Sequence, residues 1–312
     1  MKHSFSHLSD PLTLPAGLHR PVLAVGNFDG VHRGHKQLIA VAAEMGKSLQ
    51  APVVALSFEP HPRTFFQPDK PLFRLSPPDL KAQWLHDAGA QALVTLRFDK
   101  ALAAMTAEEF VRDILIKRFG IAAIVIGHDF HFGRNRQGSP DFLQESGQIN
   151  GFAVAVVPPV TRDASIISSS SIRAALSAGD IALANHLLGH AWAVRAEVVH
   201  GDKRGRELGY PTANLLLDRA VTLQHGIYAV QATVDGQAHP AVASFGRRPT
   251  FDDGAPRLEV HLFDFSDDLY GKTMEVAFVG YIRPELKFDG VEALIKQMDN
   301  DSLTALQMLT EA

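Results

Sequence analysis

The sequence contains no cysteine, so a disulfide framework, a thiolate metal site and a cysteine nucleophile are all excluded. It has no apolar run approaching the roughly 20 residues that cross a bilayer. Its N-terminal stretch, MKHSFSHLSDPLTLPAG, carries one early lysine but no apolar core and no signal-peptide pattern. A soluble, cytoplasmic protein that engages no membrane is the expectation. An excess of positive charge is also missing: 30 Lys+Arg against 34 Asp+Glu leaves −4. That excludes a protein held on nucleic acid mainly by bulk positive charge. Internal repeats are absent, and the only low-complexity stretch is the serines at 168–171. What is present is an ordinary globular composition, 46% hydrophobic and 21% charged over 312 residues. That length suits two domains, each able to bury a core.

Charge and texture both divide the chain near His190. Residues 1–190 hold 18 Lys+Arg and 16 Asp+Glu, net +2, and residues 191–312 hold 12 and 18, net −6. In the first part, short apolar runs alternate with helical patterns: PVLAV (21–25), PVVALSF (52–58), QALVTL (91–96), IAAIVIG (121–127) and FAVAVV (152–157). Their spacing suits βαβ units and a mostly parallel sheet. From Trp192 onward the runs alternate polar and apolar: AVRAEVV (193–199), GIYAVQATV (226–234), RLEVHLF (257–263) and MEVAFVGYI (274–282). These read as antiparallel strands of a small barrel or sandwich. Two helical patterns follow, GVEALIKQM (290–298) and SLTALQMLT (302–310).

In the first part the densest segment is Val25-Gly26-Asn27-Phe28-Asp29-Gly30-Val31-His32-Arg33-Gly34-His35-Lys36. It follows an apolar strand and opens an amphipathic helix. Glycines let backbone approach a ligand closely, and a helix N-terminus offers unpaired N–H groups to an anion. His32 and His35, three apart, share one face of the first turn. Two lone histidines are compatible with an accidental polar pair or half a zinc site; the strand–glycine–helix setting favours phosphate. Asp129 ends another apolar strand, where α/β sheets hold ligands, although a turn or cap role accounts for it equally. The run Ser168, Ser169, Ser170, Ser171 caps a short helix and places Arg173 near its start.

These residues carry a resemblance. His32-Arg33-Gly34-His35 is similar to the HxGH signature of nucleotidyltransferases. The longer GNFDGVHRGH resembles the adenylyltransferase module of bacterial bifunctional riboflavin kinase/FAD synthetases, as do FEPHP (58–62), GHDFHFG (127–133) and ISSSSIR (167–173). The resemblance implies attack of the FMN phosphate on the α-phosphorus of ATP. His32 and His35 would stabilise the phosphates, and Arg173 would join them. Gly26, Asn27, Phe28, Asp29, Asp129, Ser168, Ser169 and Ser170 would shape or contact the nucleotide site. Ser170 stands where the family usually has Thr, and no role is carried to His131.

The second part has its own dense segment, HGDKRGRELGYPTAN (200–214). Three glycines and three basic residues make a flexible cationic loop suited to a polyphosphate, and it lacks P-loop order. Thr212 and Asn214, two apart on an extended segment, point the same way and offer neutral oxygens to Mg²⁺. By itself this reads equally as a basic surface hairpin. The segment resembles the flavokinase signature, as do GRRPTF (246–251), LEVHL (258–262) and YIRPELKF (281–288). The resemblance implies Glu259 as general base for the riboflavin 5′-hydroxyl. It further implies Gly201, Lys203 and Gly205 at ATP, Thr212 and Asn214 at Mg²⁺, and Arg283 and Phe288 at the flavin. The chain departs from the family at Gly189-His190-Ala191-Trp192, where GRPY is usual, and at Ser244-Phe245, where Asn-Ile is usual.

The expectation is thus a Rossmann-like α/β nucleotidyltransferase domain over 1–188, then a six-stranded antiparallel barrel with a C-terminal helix over 189–312. It would make FMN from riboflavin and ATP, then FAD from FMN and ATP. Riboflavin, FMN and ATP are its expected partners, Mg²⁺ its cofactor, and a monomer or weak homo-oligomer its state. Pantetheine- or glycerol-phosphate nucleotidyltransferases share HxGH but lack the PTAN half. A class I aminoacyl-tRNA synthetase would want a Lys-rich loop. A nucleic-acid-binding regulator would want a basic barrel.

Overall fold

The computed structural model describes residues 5–162, 165–201, 205, 208–247 and 256–311. By backbone contact the chain forms two compact units, Met1–Leu72 with Pro78–Ile167, and Phe73–Pro77 with Ser168–Ala312. Among the described residues no helix is long and apolar enough to cross a membrane.

The first unit is a parallel sheet of β1 (Ser6–Ser9), β2 (Val22–Val25), β3 (Val53–Glu59), β4 (Ala92–Arg97), β5 (Ala123–Gly127) and β6 (Ala153–Val157), in the order β1-β4-β3-β2-β5-β6. Five strands coincide with the apolar runs. The sixth, β1, is a polar SHLS at the sheet edge, where one neighbour suffices and little apolar surface is required.

β2 is buried along its whole length, as a central parallel strand must be, and its alternation divides its side chains between two faces. Leu23 and Val25 join one core with Val54, Leu56, Ile124 and Ile126. Val22 and Ala24 join the other with Leu38, Ile39 and Ala42 of α1 (Arg33–Leu49). The helices α2 (Pro62–Phe66), α3 (Pro78–Asp87), α4 (Lys100–Ala104), α5 (Ala107–Glu109) and α6 (Pro140–Asn150) complete the layers, with a π-helical segment at Phe110–Arg118. After β2 the chain builds toward β3 on one side and later toward β6 on the other. The β2/β5 boundary is therefore the switch point, where such sheets open a ligand crevice. A short pair, β7 (Thr161–Arg162) and β8 (Ser165–Ile166), closes this unit.

Beyond Phe73–Pro77, the second unit starts with α7 (Ser169–Ser177) and α8 (Ile181–Leu188). It continues as a closed antiparallel barrel of β9 (Ala193–Val199), β10 (Ala213–Leu216), β11 (Gly226–Val234), β12 (Gln237–Arg247), β13 (Pro256–Leu262) and β14 (Thr273–Arg283), ordered β10-β13-β12-β11-β14-β9. The β11–β12 hairpin turns on Asp235-Gly236, both left-handed at φ 51° and 80°, the geometry that makes Asp-Gly a tight hairpin loop. β12 escaped the pattern of alternating runs because His239 and Pro240 interrupt it. The two C-terminal helical patterns are one helix, α9 (Val291–Glu311). The polar Asp299-Asn300-Asp301 between the two patterns continues the helix, and Asp301 lies on the buried face, where Arg283 compensates its charge.

Trp192, at the departure from the family pattern, is a core residue. It is 1% exposed, its ring lies 4.8 Å from that of Phe278, and its indole N–H donates to the Leu75 carbonyl at 2.9 Å. Its backbone N–H donates to Asn185 Oδ1 at 2.7 Å. Replacing Trp192 by Ala leaves a large cavity and an unpaired carbonyl, an expected loss of about 3–5 kcal/mol. Trp192→Phe costs about 1–2 kcal/mol, chiefly the lost hydrogen bond. Urea unfolding followed by circular dichroism measures both, and equal midpoints for wild type and Trp192→Ala would refute the anchoring role.

Candidate active sites

Just beyond β2 the chain enters a strained loop. Phe28 (φ 50°), Gly30 (φ 85°) and Val31 (φ 40°) are all left-handed, a conformation costly for a β-branched residue. Such backbone persists only where its surroundings enforce it, and Phe28 and Val31 are both fully buried in the core. Asp29 is buried as well. The loop delivers His32 as N-cap of α1, its Nδ1 accepting from the His35 N–H at 3.4 Å. The two imidazoles stack with centroids 3.6 Å apart, and Phe28 meets His35 edge-on at 5.2 Å. Gly34 permits this, since a Cβ there would come within 3.1 Å of the His32 ring.

His35 Nδ1 is buried and has no hydrogen-bond partner among the described residues. An orphaned buried polar atom at a strained loop marks a place for a ligand. Burial, then His32, then Lys81 hold the His35 imidazole well below its ordinary range, so it is neutral at rest. Lys81 was not singled out in the sequence. Its i, i+4 relation to buried Leu85 on α3 was the available signal.

Other expected residues lie around the ends of the strands or in the second unit. Asp129 follows β5 and is exposed. His61 caps α2, accepting from the Arg63 N–H at 3.1 Å. In the second unit Ser168 caps α7, in a reciprocal capping box with Ser171. Ser169 and Ser170 form the first turn of that helix, and Arg173 Nε donates to the Phe73 carbonyl at 2.6 Å.

The barrel carries the second constellation on its outer face. β13 alternates strictly: Leu258, Val260 and Leu262 fill the interior, so Glu259 and His261 face outward. Glu259 stands opposite Asn214 of β10 and Ser244 of β12 in register. Directly opposed residues on one face come within about 5 Å at Cβ. Thr212 lies two residues before Asn214.

A pocket of about 320 Å³ is lined by Thr212, Ser244, Glu259 and His261 together with the apolar Ile227, Leu286, Phe288, Leu294 and Met298. His261 Nδ1 lies 2.8 Å from the Pro211 carbonyl, and the Tyr210 hydroxyl donates to Asp299. Burial, then Asp299, pushes the Tyr210 phenol up, which keeps it a donor. Arg283, expected at the flavin, binds Asp301 through Nε and Nη2 at 2.8 and 2.6 Å. It also stacks over the Phe288 ring at 5.9 Å.

Two glycines of the preceding loop sit in close quarters. A Cβ at Gly201 would lie 2.4 Å from the Asn214 amide, and one at Gly205 2.3 Å from the Tyr210 carbonyl. Lys203 and residues 248–251 lie outside the described residues. Thr212 and Asn214 each carry a neutral side-chain oxygen, the kind of donor that fits Mg²⁺. Among the described residues no group of three His, Asp or Glu could hold a metal ion.

Comparison with known proteins assigns chemistry to the two halves. Residues 15–171 match the family described as FAD synthetase, and residues 188–309 the family described as riboflavin kinase. The bifunctional riboflavin kinase/FMN adenylyltransferase of Escherichia coli K12 is 40% identical over 285 residues, covering 91% of this chain and 91% of that protein. Its counterpart from Pseudomonas fluorescens is 40% identical over 302 residues, covering 94% and 97%. A crystal structure described as a macrolide-efflux protein from Streptococcus pneumoniae is 33% identical with a TM-score of 0.85, covering 96% of this chain and 98% of that one.

Proposed function

The chain belongs to the family of bifunctional riboflavin kinase/FMN adenylyltransferases, and from that premise we propose which residues carry its two reactions. The enzyme phosphorylates riboflavin with ATP, giving FMN and ADP, and adenylates FMN with a second ATP, giving FAD and pyrophosphate. The observation that carries the division of labour is that each constellation lies within its own family match. The stacked imidazoles lie within 15–171, and the outward carboxylate with its oxygen neighbours lies within 188–309. Functionally, we divide the chain at 188/189.

In riboflavin phosphorylation, Glu259 accepts the proton of the 5′-hydroxyl as that oxygen attacks the γ-phosphorus and the bond to ADP breaks. The apolar residues of the pocket lining take the flat flavin rings, with Phe288 beside them. Arg283, occupied by Asp301, fixes that wall. Thr212 and Asn214 would hold Mg²⁺, which supplies charge neutralisation on the phosphates. Gly201, Lys203 and Gly205 belong to the loop proposed to lie over the nucleotide.

In adenylation, an FMN phosphate oxygen attacks the α-phosphorus and the bond to pyrophosphate breaks. His32 and His35 donate hydrogen bonds to the departing phosphates, and the vacant His35 Nδ1 supports that role. We further assign Gly26, Asn27, Phe28, Asp29 and Asp129 to the nucleotide and Ser168, Ser169, Ser170 and Arg173 to the triphosphate, a reading supported by the resemblance of their motifs alone. Chromatography of flavins after incubation with ATP and Mg²⁺, started separately from riboflavin and from FMN, tests the assignment. Riboflavin gives FMN then FAD, and FMN gives FAD. FMN as sole product from riboflavin, with FMN itself unchanged, would refute the adenylation half.

A further inference from the structure

Lysine is rarely buried, because removing an ammonium from water is costly unless acceptors surround it. Lys81 is 3% exposed. It sits in the first turn of α3, flanked by buried Leu80 and Ala82, one turn before buried Leu85. Its Nζ lies 3.4 Å from the Asn27 carbonyl and 3.4 Å from Ser57 Oγ. Ser57 Oγ itself donates to the Asn27 carbonyl at 3.2 Å. Two donors from two other elements, α3 and β3, therefore converge on the carbonyl that immediately precedes the left-handed stretch from Phe28 to Val31.

We propose that Lys81 is a positioning residue for adenylyl transfer: with Ser57 it clamps the Asn27 carbonyl, and so fixes the strained loop that presents the His32–His35 pair to the phosphates of ATP. The proposal rests on the assignment of FAD formation to the first half of the chain. The loop is held at its middle by the burial of Phe28 and Val31, but nothing in those apolar contacts fixes where its first peptide points. The Lys81–Ser57 clamp supplies that constraint. A shift of about 1 Å in reacting groups is enough to cost a hundredfold in rate. The charge has a second consequence. The ionisable groups acting on His35 are His32 from its own turn and Lys81 from α3, and Lys81 also bears on His7 of β1.

The test compares Lys81→Met, which removes both donor and charge, with Lys81→Gln, which can donate to both oxygens without charge. Each is made in the full chain, and Lys81→Gln carries the test if Lys81→Met does not fold. FAD formation from FMN and ATP is followed across pH, riboflavin phosphorylation is the internal control, and the His35 imidazole is titrated by NMR. Lys81→Met is expected to lower kcat/KM for FAD formation about 100-fold and Lys81→Gln about 10-fold, while riboflavin phosphorylation stays within about twofold. In both, the His35 titration moves upward toward ordinary histidine, because a neighbouring positive charge has been removed. FAD formation within about threefold of wild type in both variants, or a rate loss with the His35 titration unmoved, would overturn the proposal. A wild-type chain that forms no FAD from FMN refutes the assignment of the reaction instead, and does so before any variant is compared.

Discussion

Glu259→Ala abolishes FMN formation, lowering riboflavin phosphorylation by roughly 10²–10⁴-fold, the range for losing a general base, while FAD formation from FMN continues at the wild-type rate. The expectation follows from the alternation of β13. Leu258 and Val260 are 0% exposed and carry the strand's share of the barrel core, whereas Glu259 faces out beside Asn214 and Ser244. Truncating it removes a carboxylate from the pocket without opening a cavity in the core, so fold and activity separate cleanly. Glu259→Gln keeps the shape and its hydrogen-bonding oxygen but cannot take a proton, so it should fall nearly as far in kcat with a smaller change in KM for riboflavin. Steady-state assays of both half-reactions decide the matter. Loss of FAD formation in a Glu259→Ala protein that still folds would show that the two chemistries are not independent.

The reverse pattern is expected of His32→Ala combined with His35→Ala: FAD formation drops by about 10³-fold or more, as when preorganised donors to a developing charge are removed, and FMN formation persists. Stacked 3.6 Å apart at the start of α1, the imidazoles form one unit rather than two independent groups. The single substitutions should therefore be non-additive, each costing a large part of the double. His32→Ala also deletes the N-cap, a stability cost of about 1 kcal/mol that thermal unfolding reads separately from rate. Retention of FAD formation by the double variant would remove the pair from the reaction.

Much of this was legible in the residues. The central strands β2, β3 and β5 of the parallel sheet read as largely apolar runs because both of their faces are covered, and β9, β11, β13 and β14 alternate because only one face meets the barrel core. The edge strand β1 gave no such signal, since SHLS buries little. The continuity of α9 was hidden by Asp301, a charge on an apolar face whose partner Arg283 lies 18 residues away in sequence. Pairing across that separation is a tertiary fact.

The same is true of the sites. His32 and His35 stand out by their setting after a strand and its glycines, whereas Thr212, Asn214 and Glu259 are singled out only through the resemblance of their segments. Lys81 and Ser57 are marked by neither, because what matters about them is the carbonyl they share. Nor could spacing reveal that Arg283 is already engaged by Asp301, or that Trp192, a departure from the usual pattern, is a buried anchor.

The assignment of residues 73–77 to the second unit has a consequence for dissecting the molecule. A fragment beginning at Gly189 would carry all six barrel strands, but it would leave behind Phe73, whose ring meets Trp192 edge-on at 5.7 Å, and Leu75, whose carbonyl receives the indole proton. It would also lose α8, and with it the Asn185 contacts to Trp192 and to the Phe278 carbonyl. The chemistry is modular, but the chain is not cut along the same line. A half excised by sequence exposes an aromatic wound, and grafting five residues from the other half is the direct way to heal it.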